Sequence, residues 1–467
     1  MVWLTEDTRR RRKRSPTRAQ ASRAAGTRTE KQTVRKKRRR KLADSGTEQI
    51  RRRTTNGVPM RRTMRRRPIY WKKLSELMER PIFQAHGLLS DYKGKWDWSL
   101  FVITIALLFC GLVSLMSASY PDAYYDASKG TLYYFMRQLI YAVIGIIMML
   151  CTSAYDYHRY HVAGRMLYVF SVVALFAVLT PFGTTINQSR RWIMGFQPSE
   201  LAKLAVILMF ASGVSAHPER IRTLRGLLPY AGAYAIIAIF LAAEPHMSAA
   251  IIILIIAVAI LFVGGMRLWY FIPVGAVGGI IGTIAFLTMT HVQTRVSAWL
   301  HPFDFAQTKG FQAVQSLIAI GSGGLFGRGL GQSRQKFLFL PEPMNDFIFS
   351  VVCEELGFIG AILILIMFLY FIYRGFLLAC RAPDRFGSLI AVGITTQLGF
   401  QILMNLCVVS GIFPVTGVSL PFFSFGGTAL VMQLFEVGIL LNISRHIPPS
   451  RREERQLRAA GKRRGLR

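Results

Sequence analysis

Residues 97–119 read DWSLFVITIALLFCGLVSLMSAS, a run whose one charge, Asp97, stands at its start. The hydrocarbon core of a bilayer is about 30 Å thick, and a helix rising about 1.5 Å per residue needs about 20 apolar residues to cross it. The run meets that length. It is too long for the apolar segment of a cleavable signal, although Ser117-Ala118-Ser119 imitates a cleavage site. Nine similar runs follow, at 134–154, 164–182, 198–215, 226–243, 247–265, 269–290, 346–373, 387–411 and 423–443. The expected fold is an all-α integral membrane protein of about ten spans. It has a long outer loop between spans 7 and 8 and a re-entrant segment before span 10. No tandem repeat is evident, which gives no support to a transporter built from symmetric halves.

Outside this core the texture changes. The 467-residue chain carries 58 Lys+Arg against 24 Asp+Glu, a net charge of +34, yet it is 52% hydrophobic. Residues 1–95 hold 30 basic and 8 acidic side chains, and residues 445–467 hold 9 and 2. Thus +29 of the +34 belongs to two tails, which excludes a basic soluble domain. Three regions follow: a basic tail over 1–95, a polytopic domain over 96–444 and a second basic tail over 445–467. The first 70 residues have too few large apolar side chains to offset the entropy of ordering, so disorder is expected. The runs Arg35 to Lys41 and Arg61–Arg67 suit anionic lipid, at about 1 kcal/mol per basic residue near the surface, better than a specific nucleic acid. Trp71 to Met78 is a short amphipathic stretch suited to the membrane interface. An even number of spans puts both tails on one side, and their charge makes that side the cytoplasm. Arg159, Arg165, Arg220, Arg222, Arg225, Arg267, Arg374, Arg381 and Arg385 fall in the four short loops assigned to the same side. Five cysteines, in or beside apolar runs, do not make a disulfide scaffold.

Charged residues inside spans are costly and mark function, and Gly/Pro clusters at membrane depth mean broken helix. Four places qualify, all on the outer side in this topology. The first joins Arg190-Arg191 to Gln197-Pro198-Ser199-Glu200-Leu201-Ala202-Lys203. Pro198 suits a helix start, and Glu200 and Lys203 share a face at i and i+3. They form either a self-satisfied ion pair or a cavity wall where Lys203 meets an anionic substrate. The second, Glu244-Pro245-His246-Met247-Ser248, is a tight hairpin with too few ligands for zinc.

The third, residues 291–345, contains Arg295, Gln312, Ser316, a glycine-rich run from Gly321 to Gly331, and Lys336. Those glycines lack the Gly-Lys-Ser/Thr of a phosphate loop. Ser316 to Ile320 is apolar enough to dip into the interface. At the end of the segment Asp346 is either a helix cap or a partly desolvated base. Glu354 and Glu355 are expected to pair with basic or polar groups. The fourth, Pro414 to Thr428, reads as broken helix whose free backbone N–H groups could receive an anion, and it includes Ser424.

These motifs, in this order over residues 96–444, resemble the SEDS membrane proteins of shape, elongation, division and sporulation (FtsW, RodA and SpoVE). The resemblance implies a glycosyltransferase that polymerises lipid II into peptidoglycan at the outer face of the bacterial cytoplasmic membrane. It implies an undecaprenyl-diphosphate leaving group, inversion at the anomeric carbon, and Asp346 as the catalytic carboxylate. The candidate substrate contacts are Glu200, Lys203, Arg191, Arg295, Gln312, Ser316, Lys336 and Ser424. A divalent cation, Mg or Mn, is a candidate cofactor, and no organic cofactor is expected. The implied partners are lipid II, a class B penicillin-binding protein and other division or elongation proteins. Anionic lipids are expected at the tails. Asn345 stands where the family commonly has Thr or Ser, and His246 where many members have Asp, so no family role carries onto His246. Glu244 instead of Gln favours division or sporulation over elongation. The rival readings are a lipid II flippase and a non-catalytic division scaffold.

Overall fold

The computed structural model describes residues 94–448, except 126–129, 187–188, 245 and 289. The expectations for the basic tails and for Trp71–Met78 lie outside the described residues. Eight helices are long and apolar enough to cross a membrane. They are α1 (Trp98–Tyr125), α2 (Tyr133–Ala154), α3 (Tyr160–Leu179), α4 (Pro198–Ala216), α5 (Leu224–Ala243), α10 (Ile348–Arg381), α11 (Arg385–Val409) and α12 (Gly427–His446). Two shorter apolar helices, α6 (Met247–Val263) and α7 (Phe271–Thr288), stand at the other two expected spans. A 17-residue helix is about 26 Å long, just under the hydrocarbon thickness. Segment 291–345 is not one loop: α8 (Thr290–Leu300) and α9 (Phe311–Ser322) occupy much of it. A short antiparallel hairpin, β1 (Thr184–Ile186) with β2 (Ser189–Trp192), precedes α4.

Helices α4, α11 and α12 are the most buried, and the others wrap them with apolar outer faces. This inverts the usual soluble pattern, because lipid tolerates Leu and Phe outside. The polar residues Glu200, Lys203, Gln397, Gln401, Asn405 and Glu436 therefore sit inside. Close approach depends on small residues: a Cβ on Gly438 of α12 would lie 1.8 Å from Thr152 Oγ1 of α2. At the end of the bundle where the described chain begins, Gly94 N–H donates to Arg445 O at 2.6 Å, and Asp97 pairs with Arg374. Tyr157 binds Asn442 through its backbone N–H (2.9 Å) and donates its hydroxyl to Asp384. Asp384 also caps α11 through Gly387 N–H, at 2.7 Å.

Helix α10 starts two residues after the expected position and is broken at Gly357, whose φ is +67°. The glycine-rich loop closes the break. Phe358 and Ile359 N–H donate to Gly324 O (2.9 Å) and Leu325 O (3.2 Å), while Arg328 and Gly329 N–H donate to Glu354 O and Glu355 O (both 3.0 Å). Backbone groups freed at membrane depth thus find partners in protein, as an apolar solvent demands. Glu354 accepts from Ser333 Oγ (2.6 Å) and from the Arg334 and Gln335 N–H groups. Glu355 pairs with Lys336 at 2.9 Å and accepts from Ser117 Oγ at 2.6 Å.

A polar site at the opposite end of the bundle

Asp346 lies just before α10, anchored by Phe347 and Ile348, both fully buried. It does not cap the helix: Phe347 holds the cap position, with no side-chain cap bond. The Asn405 amide donates to both Asp346 O and Val418 O at 2.8 Å, tying this turn to the non-helical segment before α12. The half-buried carboxylate faces Gly417, where a Cβ would come within 3.5 Å of Oδ2. Burial pushes the Asp346 pKa up to about 6. Glu342 adds to the rise and Arg191 opposes it.

Arg191, on β2, approaches Glu244 O at 3.5 Å. Burial outweighs the Arg191 charge at Glu244 and raises its carboxyl to about 8. Burial, then Arg191 and Lys203, depress His246 to about 3, so its imidazole is neutral. Pro198 takes the first position of α4, placing Glu200 and Lys203 one turn in, where they form a buried ion pair at 2.7 Å. The charges of this pair reach Glu436 of α12, whose two carboxylate oxygens each accept from Gln397 at 2.9 Å. Asp346, Arg191, Glu244, His246, Lys203, Glu200 and Glu436 therefore form one electrostatically linked cluster. Around it Ser199 Oγ, Glu244 Oε1, His246 Nδ1, Gln401 Oε1 and Thr416 Oγ1 are buried without a hydrogen-bond partner. Such orphans are rare in ordinary packed interiors.

Arg295 and Gln312 stand beside this cluster in a cavity of about 370 Å³, whose wall includes Pro414 and Val415. Three other candidates are not brought to it. Ser316 is fully buried and bonds Val409 O (2.6 Å) and Ser350 Oγ (2.7 Å), fastening α9 to α10 and α11. Ser424 accepts from Leu420 N–H (2.8 Å) and donates to Asn345 O (2.6 Å). Lys336 is held by Glu355 and Ser117. Their polar groups are already spent on the protein. The N–H groups of Leu420, Phe422, Phe425 and Gly426 also have protein acceptors, so they are not the free anion donors expected of the broken helix. Sequence reasoning missed Gln397, Gln401, Asn405 and Glu436. Polar residues spaced by four along α11, and a lone acid inside α12, were the available signals.

The fold and site define a multi-pass membrane protein with a buried, charged centre at one end of its helix bundle. The family model for FtsW, RodA and SpoVE, described as a cell cycle protein, matches residues 97–448. The chain belongs to that family. It is 39% identical to stage V sporulation protein E of Bacillus subtilis, over 77% of this chain and 99% of the relative. It is 38% identical to a probable peptidoglycan glycosyltransferase FtsW of Trichlorobacter lovleyi, over 75% and 93%. Among solved structures, a chain of a peptidoglycan synthase complex coordinating polymerization and crosslinking superposes with a TM-score of 0.65, at 26% identity over 75% of this chain and 98% of that one. RodA of Thermus thermophilus superposes with a TM-score of 0.55, at 27% identity over 76% and 98%.

Proposed function

We propose that the protein is a peptidoglycan glycosyltransferase that polymerises lipid II at the outer face of the cytoplasmic membrane, in cell division. The observation that carries the reading is Asp346: a half-buried carboxylate, released from helix capping, with a raised pKa and a guanidinium opposite. A base poised near neutrality suits removal of a proton from a sugar hydroxyl. Asp346 takes the proton of the acceptor 4-hydroxyl as that oxygen attacks the anomeric carbon. A single displacement from one face inverts that centre. The bond to undecaprenyl diphosphate breaks, and its electron pair leaves on the diphosphate. Arg191 favours the ionised form of Asp346, and Asn405 fixes its backbone. The buried Glu200–Lys203 pair belongs to the same electrostatic cluster.

The charges gather at one end of the bundle, which suits chemistry at one face better than transport between two. The basic tails support a cytoplasmic location for the opposite end. A divalent cation carried by the substrate's diphosphate would add positive charge at the leaving group. A class B penicillin-binding protein is the partner this reading implies, supplying the cross-linking step. Purified protein with its transpeptidase, given labelled lipid II, should make long glycan strands, and Asp346→Asn should lower the rate by about 100-fold or more. Polymerisation by Asp346→Asn at the wild-type rate would remove the assignment of the base.

A further inference from the structure

A departing diphosphate needs positive charge at the place where it leaves. The Asp346 cluster has little to spare: Lys203 is consumed by Glu200, and Arg191 lies between Glu244 and Asp346. The neighbouring cavity of about 370 Å³ has two cations, Arg295 and Lys309, and no carboxylate among its lining residues. Among the described residues neither cation forms a salt bridge. Gln312 adds an amide donor. Trp299 donates its indole N–H to Gly411 O at 3.1 Å, which ties α8 to another residue of the cavity wall. The charge of Arg295 is felt at Arg191, so the cavity and the cluster share one field.

The cavity and the cluster are also joined along the chain. The wall residue Val415 is two positions from Gly417, which faces the Asp346 carboxylate. Two residues of extended chain span at most about 7 Å. A wall residue of the cavity therefore lies within about 7 Å of the residue that faces the Asp346 carboxylate.

We propose that the cavity receives the departing polyprenyl diphosphate of the donor, with Arg295 and Lys309 stabilising its charge. The proposal rests on the glycosyltransferase reading. The acceptor oxygen bonds to the anomeric carbon, and its proton goes to Asp346. The bond from that carbon to the diphosphate oxygen breaks, and the electron pair stays on the oxygen that Arg295 and Lys309 hold. Lys309, a residue of the 291–345 segment, was not among the candidate substrate contacts drawn from sequence.

The test measures farnesyl diphosphate and farnesyl monophosphate binding to purified protein in detergent, beside lipid II turnover with the cognate transpeptidase. Lys309→Ala and Arg295→Ala should each weaken diphosphate binding at least tenfold. Lys309→Arg should retain it, and Asp346→Asn, which removes a negative charge, should not weaken it. Monophosphate should bind more weakly and respond less. In turnover Lys309→Ala should lower kcat. A rise in KM alone would mean that Lys309 binds ground and transition states equally and takes no part in the departure, which would overturn the assignment. Absence of diphosphate binding to the wild type, or affinities unmoved by both alanine variants, would overturn it as well. If the wild type shows the expected binding pattern but makes no glycan, the glycosyltransferase reading falls while the diphosphate site stands.

Discussion

Asp346 is placed so that two neighbours pull its titration in opposite directions. Burial raises its pKa to about 6, Glu342 raises it further and Arg191 lowers it. A base must be ionised, so kcat/KM should fall tenfold per pH unit below about 6 and level off above it. Arg191→Gln removes the cation that favours the carboxylate and should move this midpoint to higher pH. Glu342→Gln removes a competing anion and should move it lower. The midpoint separates this effect from a loss of substrate contact, which would lower the whole profile in place. A pH–rate profile in which both variants keep the wild-type midpoint would mean that Asp346 is not the titrating base. The importance of Asp346, Glu200 and Lys203 was legible because a charge in an apolar run is anomalous wherever it falls. What sequence hides is the partner. Ser316, Ser424 and Lys336 look as available as Arg295 does, until packing supplies Val409 O, Asn345 O and Glu355. Glu436 escaped notice because its partner Gln397 is 39 residues away on another helix.

At the scale of the element, the break in α10 explains the glycine run that sequence reading could only exclude from a phosphate-binding role. Gly357 adopts φ +67°, and a Cβ there would meet Gly327 N at 2.2 Å. Neither the conformation nor the distance tolerates a side chain. Across this seam, Glu354 and Glu355 hold Ser333 and Lys336, and the chain then runs on to Asp346. Gly357→Ala should therefore cost about 1–3 kcal/mol in backbone strain alone. It should lower the thermal unfolding midpoint in detergent and reduce polymerisation, although residue 357 touches none of the cluster. An alanine variant with an unchanged midpoint would show that the seam does not stabilise the fold. The spans themselves were largely legible, because bilayer thickness sets their length. Helices α8 and α9 were not, because a short helix in a polar segment has no length rule to reveal it.

At the scale of the molecule, charge and chemistry occupy different parts. The tails carry +29 of the net +34, while the helix bundle is almost neutral and keeps its reactive charges in one cluster. The two tails join the bundle at neighbouring points: Gly94 N–H donates to Arg445 O, and Asp97 N–H donates to Ser444 Oγ at 3.1 Å. Both contacts sit at the end of the bundle away from Asp346. The bonds that anchor the start of the bundle involve residues 94–97, well beyond residue 70, so removing residues 1–70 leaves them intact. Deletion of 1–70 should leave lipid II polymerisation in detergent within about twofold of wild type, while weakening binding to vesicles rich in anionic lipid in a salt-dependent way. Complete loss of polymerisation on deletion would mean that the tail reaches the catalytic machinery, and that the division between a charged anchor and a neutral enzyme is wrong.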